Sequence, residues 1–406
     1  MEQYTGILGI LVLLSISFLL SNNRSLVDKN IIFWGLGLQF SFAFIILKTS
    51  FGEKLFFYFN IFIVKLISFA DAGSDFLFTS FIPEVGYDQA LLNFAFRALP
   101  VIIFFSSLIA VTYHLGMIQF VIKNISLLME KTMKTSGAET LSISANIFVG
   151  QTEAPILIRP YISQMTKSEL MTVMVGGFAT VAGSVMALYV TWLNNIPDIA
   201  GHLLAASVMS APAALMVAKI IYPETKPLKT INSNKINLKS NDNNIVDAVG
   251  RGATEGLKLA ANVAAMLIAF ISIVAMINFA LGLLGTSMQE ILGLLFKPLA
   301  WTMGVPWKDA EVVGTLMGEK IVLTELIAFR DLSDYVTKNI LSERSIIITS
   351  YALCGFANFG SIGIQLGGIG SMAPERKKDL SRIVFKAMLG GAIASWLTAS
   401  IVGIII

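Results

Sequence analysis

Two acidic residues stand among apolar neighbours, where a charge is costly. Glu153 follows Gly150, Gln151 and Thr152 and precedes Ala154 and Pro155, while Glu325 sits among Ile321, Val322, Leu323, Thr324, Leu326 and Ile327. At the centre of a membrane helix an acidic group costs about 2.5–3.5 kcal/mol on translocon scales, so each is expected to be compensated by a ligand, an ion or a proton. A salt bridge or a helix cap is the plainer alternative for both. Gly150 and Pro155 let the chain reverse, and the reversal presents Gln151, Thr152 and Glu153 on consecutive positions that can surround one small polar ligand. Carboxylates accept hydrogen bonds from hydroxyl and ring NH groups, which suits a polar but uncharged ligand. Glu319 and Lys320 read as a pairing within the second segment or as solvated ends.

Each acidic segment is followed by a stretch broken by glycines: Gly176, Gly177 and Gly183 around Thr180, then Gly355, Gly360 and Gly363 around Asn358 and Ser361. A broken helix supplies unpaired carbonyls, and these, with hydroxyl and amide oxygens, suit a hard cation such as sodium. Glycines also let membrane helices pack closely with no ion involved, and spacing alone leaves both readings open.

The elements that must position these residues follow from composition. Hydrophobic residues make up 55% of the 406 and charged residues only 14%, with a mean hydropathy of +0.75, more than a water-soluble core requires. Stretches long enough to cross a hydrocarbon core of about 30 Å occur near 4–21, 31–48, 94–122, 170–193, 199–222, 255–284, 346–370 and 383–406, giving eight spans. The first lacks a basic leader and is expected to be retained. The aromatic stretch 51–81, broken by Lys54, Lys65, Asp71 and Asp75, is expected to be an interfacial helix. Two interrupted stretches, 138–165 and 288–330, read as re-entrant hairpins, because non-helical backbone at membrane depth is tolerated where it lines a pathway.

Lys and Arg cluster at Arg24 and Lys29, at Lys123 to Lys134, at Lys226 to Lys239 and at Arg376 to Arg382. With eight spans these fall on one side, so a multi-pass protein of the cytoplasmic (inner) membrane with both termini extracytoplasmic is expected. The polar linker separates two similar halves, each a hairpin followed by two spans, and the number of crossings between the hairpins makes the halves inverted. The expected division is 1–137 for early scaffold spans with the interfacial helix, 138–222 for the first repeat, 223–254 for a cytoplasmic linker, 255–287 for a further scaffold span and 288–406 for the second repeat. The fold class is thus all-α integral membrane.

Several functions are disfavoured. A net charge of +3 without a basic stripe argues against nucleic acid. Cys354 is alone, and His114 and His202 lack metal-ligand spacing. No HExxH, paired GxGD-type aspartates or Ser–His dyad supports an intramembrane enzyme. No cofactor is expected beyond a coupling ion, and a channel-like scaffold would leave the two polar tips without purpose.

The Gly150–Pro155 run, the glycine, lysine and acid of Gly318–Glu325, the run Phe356–Gln365 and the stretch Ser210–Glu224 together resemble the concentrative nucleoside transporters, from about residue 90 to the end. The resemblance implies a homotrimer in the lipid bilayer, with a scaffold holding a mobile transport unit that carries nucleoside and sodium by elevator-type alternating access. It assigns the nucleobase to Gln151, Thr152, Glu153 and Val185, the ribose to Glu325, Asn358 and Ser361 with Phe356 beside the sugar, and sodium to Asn146, Val149, Thr180 and Val181. A proton-coupled symporter of the same fold is the alternative; Asn146 with Thr180 favours sodium. The chain departs from the family where Thr324 stands in place of an asparagine, whose donor and acceptor reach a hydroxyl does not reproduce. Gly150 leans towards purines and Ser184 the other way, so the base is left open.

Overall fold

The computed structural model describes residues 2–79, 94–226, 240 and 242–406. Four helices come first: α1 (Glu2–Leu19), α2 (Lys29–Lys48), α3 (Ser50–Phe78) and α4 (Leu99–His114), the last entered through a wider turn at Phe94–Ala98. Asp28 starts α2 by accepting from Asn30 N at 2.8 Å, and Thr49 starts α3 by accepting from Gly52 N at 3.1 Å, each satisfying an amide that a helix start leaves free. The expected span 94–122 does not run through. Gly116 takes a left-handed φ of +82°, open to glycine at no steric cost, and the chain turns into the amphipathic α5 (Met117–Met133).

The first hairpin has arms α6 (Gly137–Ala145) and α7 (Arg159–Ile162), joined by the turn at 146–153 and a 3-10 segment Ala154–Ile158. Then come α8 (Lys167–Ala179), a break at 180–182, α9 (Gly183–Trp192) and the continuous α10 (Ile199–Ile221). A buried charge network ties the hairpin base to these helices. Lys219 on α10 pairs with Glu139 on α6 at 2.8 Å and donates to Ser168 Oγ on α8 at 3.0 Å. Glu139 also accepts from Ser136 N at 2.9 Å, completing a capping box.

The helix α11 (Ile245–Gly282) begins ten residues before the expected span, so the end of the expected linker 223–254 is helical. Asn244 caps it by accepting from Asp247 N at 2.9 Å. Residues 227–239 and 241 of that linker lie outside the described residues. At about 1.5 Å per residue a helix of 38 residues exceeds the hydrocarbon thickness, so it tilts or projects beyond it. It packs on α4 through Gly252 and Gly256: a Cβ on the first would come within 2.7 Å of Ser107 Cα, and on the second within 2.7 Å of Ile103 Cα. This is small-residue close packing of membrane helices.

The second half opens with α12 (Met288–Thr302), antiparallel to α13 (Ala310–Val322), which with α14 (Glu325–Thr337) makes the second hairpin. The hairpin is therefore later and narrower than 288–330. It is followed by α15 (Glu343–Leu353), a break at 354–358, α16 (Phe359–Met372) and the continuous α17 (Lys377–Ile405). Asp309 anchors this hairpin's base, accepting from Ser342 Oγ and Ser345 Oγ, each at 2.6 Å.

Among the described residues, seven stretches have the length and hydropathy to cross a membrane: Lys29–Lys48, Ser50–Phe78, Ala95–His114, Lys167–Trp192, Ile199–Ile221, Ile245–Gly282 and Pro374–Ile405. Tyr4–Leu19 is a shorter apolar helix, and the expected span 346–370 is the interrupted pair α15 and α16. The stretch expected at the interface, 51–81, has a crossing helix's length as far as Phe78. Burial divides the set. The apolar windows of Lys167–Trp192, Ile199–Ile221 and Pro374–Ile405 are 94%, 89% and 83% buried, against 17% and 11% for Ser50–Phe78 and Ile245–Gly282. The two repeats thus form the inner body, and the other helices present apolar faces outward.

Candidate functional site

The tip of the first hairpin is fastened to the first helix break by its backbone: Gly183 N donates to Phe148 O at 3.0 Å. The two breaks face each other. Gly355, at a φ of +131°, lies so close to the end of α8 that a Cβ there would come within 2.8 Å of Phe178 O. Two helix starts supplied by the second repeat also converge here. Thr324 caps α14, accepting from Ile327 N at 3.4 Å, and Asn358 caps α16, accepting from Ser361 N at 2.8 Å. Glu325 is therefore the first residue of a helix, where the positive end of the helix dipole favours a carboxylate. Thr324, the departure from the family run, is occupied with capping.

A continuous chain of buried hydrogen bonds links both hairpins with both broken helices. Gln365 Nε2 donates to Gln151 Oε1 at 3.1 Å and to Met174 O at 3.0 Å. Gln151 Nε2 donates to Ser361 Oγ at 3.2 Å. Asn358 Nδ2 donates to Glu325 Oε2 at 2.7 Å, and Tyr189 Oη donates to Glu325 Oε1 at 3.2 Å. Gln151, Glu325, Asn358 and Ser361, expected at the site from sequence, are thus joined in one network, with Val185 buried one turn from Tyr189 on α9.

Other expected residues lie apart from that network. Glu153 is not buried as the sequence suggested but exposed, its carboxylate folded back to accept from Gly150 N at 3.0 Å. The tight turn from Gly150 places this side chain over the turn's own amide, on the open side of the tip. Thr152 is half-buried and packs its methyl over Gly368, whose added Cβ would lie 2.9 Å away. Phe356 is half-buried against the core. Lys320 and Glu319, expected as a pairing or as solvated ends, are both buried.

Asn146, Val149, Thr180 and Val181 are all buried. Asn146 Nδ2 donates to Ser142 O at 3.1 Å, while its Oδ1 has no partner among the described residues. Thr180 Oγ1 donates to Gly176 O at 2.9 Å, which leaves its lone pairs to accept or coordinate. An added Cβ on Gly176 would lie 3.5 Å from Asn146 Nδ2, so the amide lies against the last turn of α8, just before the helix break. An orphaned buried oxygen beside a helix's carbonyl end fits a hard cation.

Tyr189 and Gln365 were not among the residues singled out by sequence, although a signal existed. Asn358, Ser361 and Gln365 are spaced i, i+3, i+7 and Val185 and Tyr189 i, i+4, so each set shares one helix face.

Two inverted repeats, each with a hairpin and a broken helix, converging on a polar cluster inside an apolar body define a secondary transporter. The chain is 42% identical to rat sodium/nucleoside cotransporter 1 over 428 residues, covering all of this chain and 64% of that protein, and 41% identical to the Bacillus subtilis (strain 168) transporter YutK, covering all of both. It belongs to the Na+ dependent nucleoside transporter family: the family's C-terminal model matches residues 202–403, its N-terminal model 8–81, and a gate described as nucleoside recognition 95–195. Among solved structures it is similar to CNTnw in an inward-facing substrate-bound state, at 39% identity and a TM-score of 0.91, covering 100% of this chain and 98% of that one. A CNTnw variant in an outward-facing state gives the same TM-score of 0.91.

Proposed function

We propose that the protein is a symporter that imports nucleosides across the cytoplasmic membrane, driven by a sodium gradient. The observation carrying this reading is the network from Gln365 through Gln151, Ser361 and Asn358 to Glu325, which assembles acceptors and donors from both repeats in a buried site. Glu325, Asn358 and Ser361 present a carboxylate, an amide and a hydroxyl suited to ribose hydroxyls, with Phe356 beside the sugar. Gln151, Thr152, Glu153 and Val185 are left for the base, the exposed Glu153 closing over it from the open side.

Sodium is assigned to Asn146 Oδ1, Thr180 Oγ1 and the carbonyls of Val149 and Val181, and the unpartnered Asn146 oxygen supports it. An ion here braces the turn that carries Gln151 to Glu153, so sodium raises nucleoside affinity and nucleoside raises sodium affinity equally. One sodium per nucleoside at about 100 mV and a tenfold ion gradient supplies roughly 2.3 plus 1.4 kcal/mol, or several hundredfold accumulation.

The two buried repeats move as an elevator against 1–137 and 255–287, both termini are extracytoplasmic, and the outward apolar faces of α3 and α11 meet lipid and the other copies of a trimer. Radiolabelled nucleosides presented to proteoliposomes in sodium or choline buffer at several pH values test the reading. Sodium-dependent accumulation of chemically unchanged nucleoside supports it; uptake that follows pH and ignores sodium selects proton coupling, and no accumulation against a gradient rejects symport.

A further inference from the structure

Lys320 on α13 is 0% exposed, and among the described residues it makes no ion pair. Its ammonium donates to Ala352 O at 2.9 Å and to Ser395 Oγ of α17 at 2.7 Å. Glu325 acts on this buried ammonium only from beyond ion-pairing distance, and burial carries a heavy desolvation cost, so the oxygens in contact with it must supply much of the compensation. Ala352 lies in the last turn of α15, at the break, where unpaired carbonyls give the helix end a partial negative charge. The ammonium thus occupies the cation-favouring end of the second broken helix.

The first repeat ends its own half-helix with no lysine at the corresponding place in chain order. α8 ends at Ala179, Thr180 is its cap, and Asn146, the cap residue of α6, sets its amide beside Gly176 in the last turn of α8 and carries an Oδ1 unpartnered among the described residues. In chain order α6 corresponds to α13, and α8 to α15. One repeat therefore offers oxygens at its half-helix end, and the other offers oxygens already holding an ammonium.

We propose that Lys320 is a tethered cation, filling in the second repeat the place the coupling sodium takes in the first, so that the transport unit carries one exchangeable cation and one built into the chain. The inference rests on the sodium site proposed above. It implies one sodium per nucleoside, and a fixed positive charge on the hairpin that carries Glu325. Lys320 is a positioning residue that acts through the helix end.

The test is the sodium activation curve and the charge moved per nucleoside in proteoliposomes for the wild type, Lys320→Ser and Lys320→Met. The wild type should move one charge with a Hill coefficient near one. Lys320→Ser leaves Ala352 O and Ser395 Oγ around a space, and its activation should steepen towards a coefficient of two with a second charge moved. Lys320→Met fills the space without charge and should lose uptake at every sodium concentration, with the protein still folded. Two charges per nucleoside in the wild type, or wild-type sodium curves in both variants, would overturn the proposal. If neither variant folds, the wild-type ratio decides it. A wild type indifferent to sodium removes the sodium site itself, a failure distinct from this one.

Discussion

Tyr189 and Glu325 come from different repeats, yet the phenol donates to Glu325 Oε1 at 3.2 Å while Asn358 holds Oε2 at 2.7 Å. Both oxygens of the carboxylate are thereby fixed in direction, and the Tyr189 ring is stacked on Phe329 at 4.2 Å. Broken helix and hairpin are locked together by the group that is proposed to receive the ribose.

Tyr189→Phe keeps the ring and its stacking but deletes the donor. A hydrogen bond to a charged group contributes about 1.5–3 kcal/mol, part of which orients Glu325. Nucleoside affinity measured by calorimetry should fall about tenfold, roughly 1.4 kcal/mol, with the melting temperature little changed. A 3′-deoxynucleoside, already lacking one hydroxyl for Glu325, should lose less. Equal losses for both ligands would show that the phenol acts through packing.

Much of this arrangement was legible in the sequence, for identifiable reasons. Composition and span length place the apolar helices, and Gly150 with Pro155 marks the first hairpin tip because few residue types reverse a chain at membrane depth. The burial of Glu153 was misjudged because pattern shows which residues surround a carboxylate, not which way a tight turn aims it. Lys320 was expected in a pairing or at a solvated end for a similar reason: its partners Ala352 and Ser395 are 32 and 75 residues away, and a backbone carbonyl leaves no mark in a sequence. The start of α11 was placed late because Asp247 and Arg251 look like linker residues, whereas the helix projects them beyond the apolar stretch.

The meeting of the two breaks depends on Gly355. Its φ of +131° is closed to other residues, and any Cβ would press on Phe178 O at 2.8 Å and Ala179 C at 2.9 Å. Gly355→Ala combines backbone strain with overpacking, each about 1–3 kcal/mol, and should lower the melting temperature markedly and abolish uptake. Gly363→Ala, where an added Cβ meets nothing within 4 Å, is the control and should leave stability near the wild-type value. Equal melting temperatures for the two variants would mean that the breaks are not in contact.

At the start of α11, Arg251 donates to Asp242 from Nε at 2.7 Å and Nη2 at 2.9 Å. The guanidinium holds the Asp242 carboxyl down to about 2, below its ordinary 3.8. Because the folded value is the lower one, the pair's contribution is complete above about pH 4 and disappears as pH falls towards 2. Hydrogen exchange in the first turns of α11 should therefore show no effect of this pair's titration between pH 5 and 8, after correction for the intrinsic rate, and Asp242→Asn should speed it across that whole range. A pH-dependent loss of protection near neutrality that Asp242→Asn removes would contradict the pairing.

The sodium assignment turns on one side-chain atom, since Asn146 Oδ1 is buried without a partner while its Nδ2 donates to Ser142 O at 3.1 Å. Asn146→Ala removes a ligand oxygen and leaves α6 able to form, because alanine favours helix more than asparagine does. The sodium concentration for half-maximal uptake should rise at least tenfold, and nucleoside affinity at fixed low sodium should fall with it, as reciprocal coupling requires. At saturating sodium the affinity should return towards the wild-type value, because Gln151, Asn358 and Glu325 are untouched. An affinity loss that sodium cannot restore would place Asn146 in the scaffolding of the tip; an unchanged sodium curve would move the ion elsewhere.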